Sequence, residues 1–219
     1  MPEWFQTAPG RYLLDWERAQ FDQAVADLFG YHALQLGLSE LDALAANRMP
    51  HRWLALDGAG VTPVTTVVGG SSAQPEAVSD GPVGAIAIGQ ASLWAEYPAL
   101  PFSENSLDLV ILPHTLELNA DPHATLREVG RVLVPEGRVV ISGLNPASLW
   151  GLRQRRAHLL RRMGVGESYL PEHGEFIGYW RLRDWLRLLN FEVESSRFGC
   201  YRPAVRSGRW LERFSWMDR

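Results

Sequence analysis

An open, doubly wound α/β sheet of mostly parallel strands is the fold this sequence predicts, and three observations carry it. Apolar runs of strand length alternate with amphipathic helical segments along the chain. Residues 106–142 spell out a strand, a helix, a turn and a second strand, and a right-handed crossover makes those strands parallel. A length of 219 residues, 46% hydrophobic and 21% charged, suits one domain with a self-sufficient core.

Gly10 to Phe29 carries Tyr12, Leu13, Trp16, Phe21, Val25, Leu28 and Phe29 at mostly three- and four-residue intervals, which predicts a helix ended by Gly30. A first strand is expected over 31–37, a helix from there to about Asn47, and a second strand over 52–57. Residues 58–82, rich in Gly, Ser, Thr, Val and Pro, read as an irregular insertion with a Val/Thr hairpin at 61–68. A third strand lies within 84–95 and a fourth at 106–112. Asp121 and Pro122 then open a helix to Leu133 as N-cap and first helical residue, and 135–138 turns into a fifth strand at 139–142. A basic helix at 147–163, a helix at 180–189 and a sixth strand at 191–198 complete the pattern. The aromatic tail after Phe198 has Pro203 and helical spacing, so no complete seventh strand is expected. The exposed edge left by it would suit a second copy, or chain beyond residue 219.

Cys200 is the only cysteine, which excludes an internal disulfide and a thiolate metal cluster. With no basic-then-apolar leader and no apolar run of about 18 residues, a cytoplasmic location without a membrane span is expected. His51, His114, His123, His158 and His173 lack tight ligand spacing, so no metal is expected. All 21 basic residues are Arg; residues 1–150 carry 7 of them against 17 acidic side chains, and 151–219 carry 14 against 8. The cluster Arg153, Arg155, Arg156, Arg161 and Arg162 is either a solvated helix face or a surface for RNA or anionic lipid.

Residues 96–110 (EYPALPFSENSLDLV), 114–117 (HTLE) and 126–142 (LREVGRVLVPEGRVVIS) closely resemble the central block of class I S-adenosylmethionine-dependent methyltransferases of the small-molecule type. In that block an acidic residue and Leu-Pro-Phe precede a Phe-Asp-Leu-Val strand, a Leu-x-Glu-x-x-Arg-Val-Leu helix and a Pro-Gly-Gly turn. Leu189-Asn190-Phe191 looks like the family's Ala-Gly-Phe. Gly10-Arg11-Tyr12 and Ser142-Gly143-Leu144-Asn145-Pro146 are similar to a group of bacterial methyltransferase-like proteins.

The resemblance implies one Rossmann-like domain over 1–219: an N-terminal helical lid at 1–30, a cofactor-binding core at 31–146, and a substrate side at 147–219. It implies S-adenosylmethionine as cofactor and a small-molecule acceptor. It places Gly37 in the loop after the first strand, though the family's Gly-x-Gly-x-Gly is reduced here to that one glycine. Asp57 takes the position that binds the ribose hydroxyls, Glu96 that for the adenine amino group, with Tyr97 beside the ring; Pro113 follows the fourth strand and Tyr12 lies on the lid. His114 is the candidate general base. Alternatives stay open: Asp57 as a turn former before Gly58, Glu96 as a surface acid, His114 as a capping residue, Tyr12 as ordinary packing. The reduced loop also leaves open a non-catalytic binding module with the same fold. The resemblance offers neither the Asn/Asp-Pro-Pro-aromatic signature of amino-group methylation on adenine or glutamine nor the Pro-Cys pair of C5-cytosine methylation.

Overall fold

The computed structural model describes residues 2–58, 93–161, 175–203, 205 and 207–218. Helices α1 (Pro2–Phe5) and α2 (Ala8–Val25) precede strands β1 (His32–Leu36), β2 (His51–Asp57), β3 (Leu93–Ala95) and β4 (Leu107–Pro113). Then come α3 (Thr115–Leu118), α4 (Pro122–Val132), β5 (Leu133–Ser142), α5 (Leu149–Arg161), α6 (Tyr179–Leu188), α7 (Gly208–Arg213) and a 3-10 turn at Ser215–Asp218. The strands form one sheet in the order β3-β2-β1-β4-β5, every neighbour parallel.

The central strands explain the two-layer cover. Successive side chains of a strand point to opposite faces, so Leu109 and Ile111 of β4 join Leu13, Leu14, Phe21 and Val25 of α2. Val110 and Leu112 join Leu126, Val129 and Val132 of α4 and Trp185 and Leu186 of α6 on the other face. All four β4 side chains are fully buried, and each contributes about 1.5–3 kcal/mol through area removed from water. A run of apolar residues without alternation is therefore what a strand covered on both faces requires.

Local chemistry sets the helix ends. Thr7 caps α2 by accepting the Gly10 N–H at 3.3 Å, and Gly10 is bare because a Cβ there would stand 2.3 Å from the Trp4 carbonyl of α1. Asp121 caps α4 at 2.9 Å from the Ala124 nitrogen. Glu128 and Arg131 of α4 pair with each other and hold the segment after β3: Glu128 accepts the Leu100 N–H at 2.8 Å and Arg131 donates to the Phe102 carbonyl at 2.9 Å. That contact gives a physical reason for the Leu-x-Glu-x-x-Arg spacing.

Three expectations need correction. The N-terminal helix stops at Val25, short of Phe29. Residues 38–47 form successive turns instead of a helix, because the buried Gln35 side chain takes their backbone groups. Residues 191–198 are extended without pairing into the sheet; Phe191 and Val193 pack on the core and Glu194 pairs with Arg138 of β5. Among the described residues no strand follows Ser142, so the sheet has neither a sixth nor a seventh strand. The expected hairpin at 61–68 and most of the expected third-strand window lie outside the described residues. In α5, Trp150 and Gln154 are buried while Arg153 and Arg156 are exposed; the side chains of Arg155 and Arg161, and Arg162 itself, lie outside the described residues. No helix among the described residues is long and apolar enough to cross a membrane.

Candidate active site

The carboxyl ends of the parallel strands share one edge, and the sequence-predicted residues fall on it element by element. Gly37 follows β1 with φ 77°, a conformation that favours glycine. A Cβ on it would lie 3.2 Å from the Tyr97 hydroxyl and 3.4 Å from Thr115 Oγ1, so the ends of β1, β3 and β4 converge on this bare backbone. Thr115 donates to the last carbonyl of β1, Leu36, at 2.5 Å. Asp57 ends β2, exposed, in register with Ala95 of β3, and the exposed Glu96 comes next. Burial, with the Asp57 carboxylate second, pushes the Tyr97 phenol well above its usual range and keeps it neutral.

Pro113 is buried at the end of β4, and His114 after it is 1% exposed with φ 54°. A left-handed non-glycine residue costs about 1–2 kcal/mol and needs surroundings that hold it. Here the His114 N–H donates to the Ser142 carbonyl of β5 at 3.1 Å. Its ring lies between two buried carboxylates: Nδ1 is 2.8 Å from Glu117 Oε2, and Nε2 is 2.9 Å from Glu17 Oε1 of α2. The first contact is a hydrogen bond; the second has ion-pair distance without hydrogen-bond alignment. Burial alone would depress the imidazole, but the Glu17 charge and the Glu117 hydrogen bond outweigh it and raise His114 to about 10. The ring is thus an imidazolium at neutral pH, a donor with no lone pair for accepting a proton. Glu117 also accepts the Leu144 N–H at 2.5 Å, and burial raises its carboxyl despite the His114 bond.

Tyr12 does not join Asp57 and Glu96. Its hydroxyl donates to the Asp218 carboxylate at 2.7 Å, with the Arg202 guanidinium 4.2 Å from its ring centre and paired with Asp218 at 2.7 Å. Helix α2 is thereby tied to the C-terminal turn. Gln35 and Glu17 were not singled out from sequence, yet both carried a signal: a polar residue inside the apolar run HALQL, and an acid four residues from Leu13 and from Phe21 on the apolar stripe of α2.

The deciding comparison is with solved structures. A SAM-dependent methyltransferase from Thermotoga maritima superposes with a TM-score of 0.51 over 88% of this chain and 82% of its own, at 14% identity. The fold is that of the class I methyltransferases. The YcgJ protein of Bacillus subtilis also superposes with a TM-score of 0.51, covering 90% of this chain and 76% of that one, at 14% identity. Residues 49–141 match the family described as methyltransferase domain, a span that contains Asp57, Glu96, Tyr97, Pro113 and His114. The uncharacterized protein YafS of Escherichia coli (strain K12) is 45% identical over 100 residues, 45% of this chain; the match spans 39% of that relative's length.

Within the methyltransferase fold, two departures from the family's glycines have a backbone explanation. Glu136 stands where Pro-Gly-Gly has its first glycine, with φ 64°, and Asn190 stands where Ala-Gly-Phe has its glycine, with φ 62°. Asn190 ends α6 in the left-handed cap position, followed by a bond from the Phe191 N–H to the Leu186 carbonyl at 2.9 Å.

Proposed function

We propose that this chain transfers the methyl group of S-adenosylmethionine to a small-molecule acceptor, with the nucleoside held by Asp57 and Glu96 and the acceptor received beside His114. The observation that supports this reading is the meeting of Gly37, Asp57, Tyr97 and Thr115 at the ends of four adjacent strands, the edge where a doubly wound sheet takes its ligands. The residues fit the nucleoside: exposed carboxylates at the ends of β2 and β3 are acceptors for ribose hydroxyls and an adenine amino group, and Gly37 leaves bare backbone beside Tyr97 and Thr115.

When bound, the cofactor supplies a methyl group already activated on a sulfonium, so the protein's part is alignment and proton handling. In this reading Tyr97 would give the nucleoside a neutral aromatic surface, and the buried Pro113 would line the site at the end of β4. His114 serves as a fixed positive donor that orients groups at the end of β4. Tyr12 acts through the lid, keeping α2 seated on the sheet edge. Calorimetry with S-adenosylhomocysteine tests the reading: saturable binding that depends on Asp57 supports it, and no heat at millimolar ligand would favour a methyltransferase-fold module without catalysis.

A further inference from the structure

Among the described residues, buried side-chain polar atoms without a hydrogen-bond partner are Glu17 Oε2, Asp22 Oδ1, His114 Nε2 and Ser142 Oγ. Native structures keep few such atoms, and each calls for a reason. Three of the four belong to one corner. Glu17 and His114 face each other at 2.9 Å. Ser142 is the register partner of Pro113, and its carbonyl accepts the His114 N–H. The corner lies at the carboxyl ends of β4 and β5, roofed by α2.

Charge points the same way. Among the described residues, titratable groups that feel Glu17 include His114 at the end of β4, Glu117 on α3, and Cys200 in the tail, whose thiol is pushed up to about 12 by burial and then by Glu17. Beyond Cys200 stand Tyr12, Asp218 and Arg202. Among the described residues named here, with the thiol and phenol neutral, the carboxyl groups of Glu17, Glu117 and Asp218 stand against one imidazolium and one guanidinium. A buried negative charge without a full partner is costly, and a cationic ligand offsets it. A phosphate or carboxylate at this corner would meet Glu17 and Glu117 as like charges.

We infer that the methyl acceptor is an amine, bound at this corner as an ammonium that donates an N–H to Glu17 Oε2, with Ser142 Oγ as a second partner; one N–H proton passes to the Glu17 carboxylate before transfer, which frees the nitrogen lone pair that takes the methyl group as S-adenosylhomocysteine leaves. The inference rests on the methyl-transfer reading above and extends it by naming the acceptor class. A neutral hydroxyl acceptor would satisfy the orphaned oxygen but leave the charge in place.

The test uses the full chain with S-adenosylhomocysteine present and three probe pairs: propylammonium, benzylammonium and phenethylammonium, each against the corresponding alcohol. The imidazole resonances of His114 and the thermal midpoint are followed by titration. At least one ammonium should shift the His114 signals saturably and its alcohol should not, while Glu17→Gln weakens that ammonium by about tenfold or more. Silence from all three ammonium probes, an alcohol as effective as its ammonium, or an equal response in Glu17→Gln overturns the inference. A purely structural Glu17 would lower the thermal midpoint without changing amine selectivity. If Glu17→Gln does not fold, Ser142→Ala takes its place, with weaker amine binding expected and unchanged binding contradictory. Binding of S-adenosylhomocysteine is measured separately: its loss in the wild type fails the methyl-transfer reading, whereas its retention with silent amines fails this inference alone.

Discussion

Glu17 Oε1 lies 2.9 Å from His114 Nε2, with the two side chains 3% and 1% exposed. The contact joins the middle of α2 to the residue that follows β4. A side chain of α2 thus reaches the residue beside which we propose that the acceptor is received. Lid seating and the charge of the site are one physical problem here.

Stability should therefore fall as pH rises. His114 is held protonated to about 10 in the folded chain and titrates near 6.5 when unfolded, so its contribution is complete below about 6.5 and is lost as pH climbs through about 10. Glu117, raised by burial, has the same sign, because the folded state again binds the extra proton. Denaturation midpoints in urea from pH 6.5 to 10 should decline, and the decline should flatten in His114→Gln. A midpoint that rises over this window would contradict the arrangement.

Gln35 should behave as a structural staple of the cofactor loop. Its amide donates to the carbonyls of Gly37, Leu38 and Leu41 at 3.2, 3.0 and 2.7 Å and accepts the Ala43 N–H at 2.9 Å, all buried. Gln35→Leu leaves those groups unpaired and should cost about 3 kcal/mol in urea unfolding. A change within about 0.5 kcal/mol would show that the loop holds itself.

Tyr12→Phe should loosen the lid. Removing the hydroxyl from Asp218 deletes a bond to a carboxylate, with an expected loss of about 1.5–3 kcal/mol, and should expose the segment from Gly199 to Asp218 to limited proteolysis. Wild-type resistance to proteolysis in the variant would remove Tyr12 from the latch.

The sequence made the core legible where one rule acted alone. The apolar run of β4, the Asp121-Pro122 helix start and the strand-end positions of Gly37, Asp57, Glu96 and Pro113 all followed from local pattern and the family block. It misled where a tertiary contact overrode the pattern. Residues 38–47 have helix-like polarity, but Gln35 captures their carbonyls first. Residues 191–198 alternate like a strand, yet Glu194 meets β5 through a side chain instead of the backbone ladder. The carboxylates around His114 were not legible because nothing near it in sequence announces Glu17, far back on α2.

We propose that Asp57 and Glu96 hold the nucleoside of S-adenosylmethionine at the edge where Gly37 and Tyr97 meet. Calorimetric titration of wild type, Asp57→Ala and Glu96→Ala with S-adenosylhomocysteine tests it most directly. Saturable binding is expected in the wild type, weakened by about 1–3 kcal/mol in each variant for lost hydrogen bonds to charged groups, with thermal midpoints unchanged because both side chains are exposed. Equal affinity in all three proteins, or no binding to the wild type, would contradict it.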